Sequence, residues 1–393
     1  MMIMTNNNSY STYYREMRFA ALYFHIPFCL SKCNYCDFIS FPVGKESADP
    51  AAYIPLLRRE LALWREEIAG AGTAYFGGGT PTLLPPGELA AFVLDLRKSC
   101  PELEEITIEA NPGTITGAGL NLLRQAGVNR LSLGIQSFDD EFLAAMGRAH
   151  TKREARQVFH EARRADFGNI SLDLIYGLPG QSLANWRQQL ETALELAPEH
   201  ISLYGLALSP ASPWGRALAK GELVLPNEDL AADMMELGGD ILTAAGFEHY
   251  EIANFARPGR RSRHNQVYWR RENYLGLGLA AASCRGSGRW HNLSNLKDYT
   301  AALEANKKPL AGQEHLTREQ ELAETIILGL RLKEGVNLAV LSGRFRLDVM
   351  EKYTDQTKDL IAWGLVELAE GHLRLTKRGL PLANEVFYRF LPD

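Results

Sequence analysis

The sequence predicts an α/β chain: a partial β/α barrel of six units, followed by a smaller helical region of winged-helix-like layout. Two observations lead there. From residue 20 to about 210, short apolar and β-branched runs alternate with longer segments of helical period, the rhythm of a parallel sheet or barrel. Beyond 210 that rhythm fades, and the tail from about 315 reads as helices around one short hairpin, LVELAEGHLRLT.

Taken in order, the strands are ALYFHI at 21–26, TAYF at 73–76, EITIE at 105–109, RLSLGI at 130–135, NISLDLI at 169–175 and HISLYGL at 200–206. Helical patterns fall between them near 51–69, 87–99, 116–126, 152–165 and 183–196. A further helix is expected at 227–245. Residues 247–290 then form an aromatic and Arg-rich stretch containing FEHYEIANF, RHNQVYWRRENY and LGLGL. The expected organisation is a disordered N-terminus at 1–19, the barrel at 20–225, a connecting region with the HNQVYW segment at 226–312 and the C-terminal unit at 313–393.

Composition narrows the classes. The chain has 393 residues, 46% hydrophobic and 23% charged, ordinary values for a folded protein. Its formal net charge of −5 supplies no global basic field for nucleic acid or anionic lipid. No apolar run is long enough to span a bilayer, and the opening MMIMTNNNSYSTYYREMR lacks the apolar core of a signal peptide, so a cytoplasmic protein is expected. Transient membrane contact stays open, because weak contacts leave little compositional trace.

The residues at the strand ends carry the chemistry. Cys29, Cys33 and Cys36 come after the first strand, and Gly77, Gly78, Gly79 and Thr80 after the second; Glu109 closes the third, Gln136 succeeds the fourth, Asp173 lies late in the fifth and Tyr204 in the sixth. In a parallel barrel these strand ends converge on one mouth. Three of the five cysteines fall in HIPFCLSKCNYCDF with C-x3-C-x2-C spacing, whereas Cys100 and Cys284 stand alone and read as ordinary partly buried thiols. Thiolates select zinc or iron–sulfur. Structural zinc closes four ligands and no second pair is present, although a zinc-stabilised binding module stays an alternative. On a four-iron cluster three cysteines leave one iron open to a small chelating molecule.

Tyr23, HIPFC and the cysteine spacing resemble the radical S-adenosylmethionine (SAM) enzymes. More narrowly, residues 20 to 393 resemble the oxygen-independent coproporphyrinogen III oxidase family, and within it the heme chaperone branch. The resemblance implies a radical SAM barrel with a [4Fe-4S] cluster on Cys29, Cys33 and Cys36 and SAM on the fourth iron. One-electron reduction, from an electron donor, would cleave SAM. It further implies SAM contacts at Gly78, Gly79 and Thr80 of GGGTP, at Glu109 of EANPG, at Gln136 of GIQSF, at Arg148 of GRAH and at Asp173 of LDLIYGLPGQ. Tyr35 would stack on the adenine, and Tyr23 would sit near the cluster.

Two features point to the chaperone branch rather than to the oxidases. The oxidases continue their motif as CxxCxC, whereas this chain reads Cys36-Asp37-Phe38. His264 in HNQVYW resembles the HNxxYW motif associated with heme, which implies His264 as an iron ligand, Tyr268 and Trp269 over a porphyrin face, and Arg263, Arg270 and Arg271 near its propionates. Ala282 stands where the family often has a histidine. The implied function is binding heme and passing it to apo-hemoproteins such as respiratory enzymes. The alternative is a radical SAM enzyme acting on a porphyrin or porphyrinogen.

Overall fold

Along each of the first six strands, apolar and polar residues alternate, and the pleat sends them to opposite faces. Leu22, Phe24, Ile26, Ala74, Phe76, Ile106, Ile108, Leu131, Leu133, Ile170, Leu172, Ile201 and Leu203 make one buried apolar face. Tyr23, His25, Thr73, Tyr75, Thr107, Glu109, Arg130, Ser132, Ser171, Asp173, His200 and Ser202 make the other. The sheet is therefore packed by helices on its outer side and lined with polar groups on its inner side. The computed structural model describes residues 18–44 and 49–392.

The strands are β1 (Ala21–Ile26), β2 (Thr73–Gly78), β3 (Glu105–Ala110), β4 (Arg130–Gln136), β5 (Ile170–Tyr176) and β6 (His200–Gly205), within two residues of the sequence expectation. They lie side by side in that order, all parallel. The helices that return the chain are α1 (Pro50–Leu63), α2 (Pro86–Ser99), α3 (Gly117–Ala126), α4 (Lys152–Arg164) and α5 (Leu183–Glu195). Phe24 of β1 stacks on Phe76 of β2 at 4.5 Å and meets the edge of Phe92 in α2 at 5.4 Å. Capping boxes start α4 (Thr151, Glu154) and α5 (Ser182, Asn185), fixing where each helix leaves the barrel mouth.

Residues 226–312, expected as a connecting region, carry strands of this same sheet. After α6 (Glu228–Ala244), β7 (Glu248–His249) and β8 (Asn254–Ala256) add antiparallel beyond β6. On the opposite edge, β9 (Tyr274–Leu277) pairs parallel with β1, and β10 (Ala282–Arg285), β11 (Gly288–Asn292) and β12 (Leu310–His315) follow antiparallel, giving twelve strands in an open sheet. Helix α7 (Arg263–Trp269) carries the HNQVYW segment between the two edges, with the Glu105 carboxylate accepting from the Arg263 and His264 amides at its N-terminus. The C-terminal region has its own core, including Leu322, Ile326, Leu341, Phe345, Leu360, Leu373 and Val386, built from α8 (Arg318–Gly329), further short helices and a three-stranded sheet whose hairpin spans Val366–Leu375.

Of the N-terminus expected to be disordered, residues 1–17 lie outside the described residues. Phe19 is fully buried and packs edge-on against Trp64 and Trp290, at 5.9 and 6.3 Å, so the fold includes it. No helix among the described residues is long and apolar enough to cross a membrane.

Candidate functional site

The strand-end residues meet as the sequence predicts. Cys29, Cys33, Cys36, Tyr35, Gly78, Gly79, Thr80, Glu109, Gln136, Arg148, Asp173 and Tyr204 line a single cavity of about 410 Å³ at the C-terminal ends of β1 to β6. The cysteine loop is held over it by the segment after β4: Asn34 N and Nδ2 donate to Met146 O and Ala145 O, and Ser31 Oγ donates to Gly147 O. The ring of Tyr35 lies 6.3 Å from that of Trp214, whose amide donates to Asn34 O. Phe38, where a further thiol would extend the motif, is 61% exposed at the cavity rim.

The glycines are required by what they touch. Gly78 has φ of +106°, and a Cβ there would lie 2.5 Å from the His25 ring; one at Gly79 would lie 2.5 Å from Phe28 O. The backbone of the glycine run thus packs directly against the cysteine loop. His25 steadies that loop, its Nε2 bonded to Ile39 O at 2.8 Å.

Asn111, within EANPG but not among the residues expected from the sequence, ties the wall together. Its Nδ2 donates to Thr80 Oγ1 at 2.8 Å, and its Oδ1 accepts from Arg148 Nη2. Arg148 also donates to Gly134 O at 2.7 Å and to Cys33 Sγ at 3.6 Å, while its Nε is buried without a partner. Thr80 Oγ1 lies 3.8 Å from Cys29 Sγ.

Two carboxylates form the cavity floor. Glu109 accepts from Tyr75 Oη at 2.8 Å and Gly78 N at 3.2 Å; burial pushes its pKa up to about 7, a rise that those bonds oppose and the Asp173 charge assists. Asp173 accepts from Ser132 Oγ at 3.0 Å and Ser171 Oγ at 3.4 Å, and burial raises it as well.

Two sequence-derived residues are not in this cavity. Tyr23 is on the inner face of β1 and lines a second cavity, and it connects to the cysteine loop through its 3.2 Å bond to His25 Nδ1. His264, expected as an iron ligand, is fully buried with both ring nitrogens engaged, Nδ1 with Thr73 Oγ1 at 2.8 Å and Nε2 with Tyr268 Oη at 2.7 Å. Its ring stacks on Tyr75 at 5.1 Å, and burial, with the Arg130 charge, pushes its pKa down to about 3. As placed, both ring nitrogens are hydrogen-bonded, so iron ligation would require one of these bonds to break. The three arginines expected near propionates are in ion pairs: Arg263 with Glu104, Arg270 with Glu334 at 3.4 Å, and Arg271 with Glu321 and Glu324 at 3.0 and 2.7 Å.

Residues 23–193 match the radical SAM superfamily, and residues 316–382 match the HemN C-terminal domain. Heme chaperone HemW of Bacillus subtilis (strain 168) is 36% identical over 94% of this chain and 99% of its own length. The chain belongs to the HemW family of radical SAM proteins. Heme chaperone HemW of a Synechocystis strain is 39% identical, over 82% of this chain and 80% of its own. The solved structure of coproporphyrinogen III oxidase (HemN) from Escherichia coli aligns with 98% of this chain and 93% of its own at a TM-score of 0.81; at 24% identity this likeness establishes the fold.

Membership implies a [4Fe-4S] cluster and SAM, and the cavity fits both. Its donor set at the loop is three thiols. Among the described residues no three His, Cys, Asp or Glu side chains are gathered as one metal ion requires, an arrangement that a cluster, with one iron per thiolate, does not need.

Proposed function

We propose that this protein is a heme chaperone: it binds heme and hands it to apo-hemoproteins, respiratory enzymes among them, and carries a SAM-coordinated [4Fe-4S] cluster on Cys29, Cys33 and Cys36. The observation that carries this reading is its relationship to curated heme chaperones across 94% of the chain. Phe38 supports it, being an exposed ring where the oxidase motif has another thiol.

A cluster held by Cys29, Cys33 and Cys36 would, once reduced by a separate electron donor, supply the electron for cleaving SAM. The chain's own residues prepare the seat. Gly78 and Gly79 let the backbone approach SAM's amino acid end, and Thr80 and Asn111 fix that edge. Arg148, with Nε unpartnered, is placed for a carboxylate. Glu109, ionised, receives positive charge, while Asp173 and Gln136 bound the far side and Tyr35 offers a ring to the adenine. We place the protein in the cytoplasm, with any membrane contact transient.

The test is an anaerobic heme titration of the cluster-loaded protein, with coproporphyrinogen III turnover assayed in parallel. Saturable heme binding without decarboxylated product is expected. Turnover of the porphyrinogen would overturn the reading in favour of a radical SAM oxidase.

A further inference from the structure

Ser40 closes the cysteine loop, in the run Cys36-Asp37-Phe38-Ile39-Ser40. It is 7% exposed and lines the barrel-mouth cavity together with Cys29, Cys33 and Cys36. Its Oγ is buried without a hydrogen-bond partner among the described residues, a condition that native structures seldom leave unexplained. The backbone on both sides of it is fixed. Ile39 O accepts from His25 Nε2 at 2.8 Å, and Phe41 N donates to Pro27 O at 2.7 Å. Phe41 and Pro42 pair parallel with Phe28 and Cys29, and Val43 N donates to Cys29 O at 2.9 Å. Ser40 is therefore carried by the segment that pairs with the first cysteine. Two other side chains of the cavity already donate to these sulfurs, Thr80 Oγ1 to Cys29 Sγ at 3.8 Å and Arg148 Nη1 to Cys33 Sγ at 3.6 Å.

We propose that the Ser40 hydroxyl donates to a sulfur of the iron–sulfur cluster and thereby raises its midpoint potential. The proposal rests on the cluster reading above and adds a residue that controls it. Hydrogen bonds to the sulfurs are among the terms that set such potentials. The sign follows from charge. One-electron reduction adds negative charge to the sulfurs, so a donor there stabilises the reduced form more than the oxidised one. Burial strengthens the effect, because no water competes for the bond. A sulfur is the better acceptor than SAM, whose amino acid end is already provided for by the glycine run, Asn111 and Arg148. Ser40 has no other acceptor to give up, and its removal takes no bond from the ligand-free protein. Thr80 and Arg148 act on the thiolates in the same direction, and Arg148 adds a full positive charge.

The experiment is anaerobic redox potentiometry of the cluster-loaded full chain without SAM, followed by electron paramagnetic resonance. Dithionite supplies the electron and is oxidised to sulfite. Wild type is compared with Ser40→Ala and Ser40→Thr, and with Ser99→Ala as a control, since Ser99 Oγ donates to Asp95 O on α2. Iron and sulfide analysis verifies loading, and Ser40→Gly is a second removal should the Ala variant not load. Ser40→Ala is expected to make reduction about tenfold less favourable, a fall of about 59 mV for one electron. Ser40→Thr, which keeps the hydroxyl, and Ser99→Ala should match wild type. Urea unfolding of the cluster-free Ser40→Ala protein should show a midpoint no lower than wild type, because an unpaired hydroxyl contributes no bond. An unchanged potential in both removal variants would overturn the proposal, whether the lost hydroxyl weakens SAM binding or only lowers the unfolding midpoint. A fall that Ser40→Thr shares would trace it to packing and overturn the proposal as well. A wild type that assembles no cluster would overturn the cluster reading itself.

Discussion

Tyr268 Oη and His264 Nε2 are 2.7 Å apart in the wall between the two cavities. Tyr268 lines the second, while the His264 ring stacks on Tyr75, which lines the first and donates to Glu109. The histidine of the HNxxYW segment is thus a strut between two cavities.

His264→Ala should therefore cost stability before it costs chemistry. It leaves Thr73 Oγ1 and Tyr268 Oη unpaired in a buried setting and opens a void, a loss of about 2–4 kcal/mol. Urea unfolding should show a lower midpoint in the ligand-free protein. Unchanged stability together with abolished heme binding would point to His264 as an iron ligand rather than a strut.

Changing any one of Cys29, Cys33 or Cys36 to Ala should abolish cluster assembly while the barrel stays folded, because the packed core lies on the outer face of the sheet and these side chains line its mouth. Iron and acid-labile sulfide analysis checks it. Full cluster iron in any such variant would remove that cysteine from the ligand set.

Asn111→Ala should weaken SAM binding. It breaks the link between Thr80 and Arg148 and takes a partner from a buried guanidinium, on the order of 1–3 kcal/mol, or about fivefold to 150-fold in Kd. Calorimetric titration of the cluster-loaded protein measures it, and wild-type affinity would show that the bridge is incidental.

SAM binding should strengthen as pH rises through about 7, the value to which burial lifts Glu109, because the ionised carboxylate is the form that meets a cationic ligand. Glu109→Gln should flatten that profile. Stability runs the other way. A carboxyl raised on folding contributes fully below its ordinary range near 4.5, and that contribution is lost as pH rises through 7. Glu60, fully buried and lifted by burial to about 7, titrates in the same window, so Glu109→Gln should remove only part of the loss. A SAM affinity independent of pH in the wild type would contradict the role given to Glu109.

The six barrel strands were legible because each joins an outward apolar row to a turn or cap at a fixed place. Strands β9 to β12 were not, for reasons visible in their residues. GRWHN and LAGQEH offer no continuous apolar face, and the glycine spacing of LGLGL exists because Ala282 O crowds the Cα of Gly276. The cavity was legible through its cysteine spacing and strand ends. Position along a strand does not reveal which cavity an inward side chain such as Tyr23 borders, and a motif names residues such as His264 without saying which way a helix turns them. Asn111 lay within the EANPG segment, but only the fold brings Thr80 and Arg148 to its two ends.

Transfer of heme decides most directly. The cluster-loaded protein, charged with one equivalent of heme, is mixed with an apo-hemoprotein, and the acceptor's absorbance is followed. Transfer that is faster than from free hemin, and that is lost with a cluster-free cysteine variant, is the expected result. An acceptor filled no faster than by free hemin, with the protein's own heme unmoved, would contradict the chaperone function.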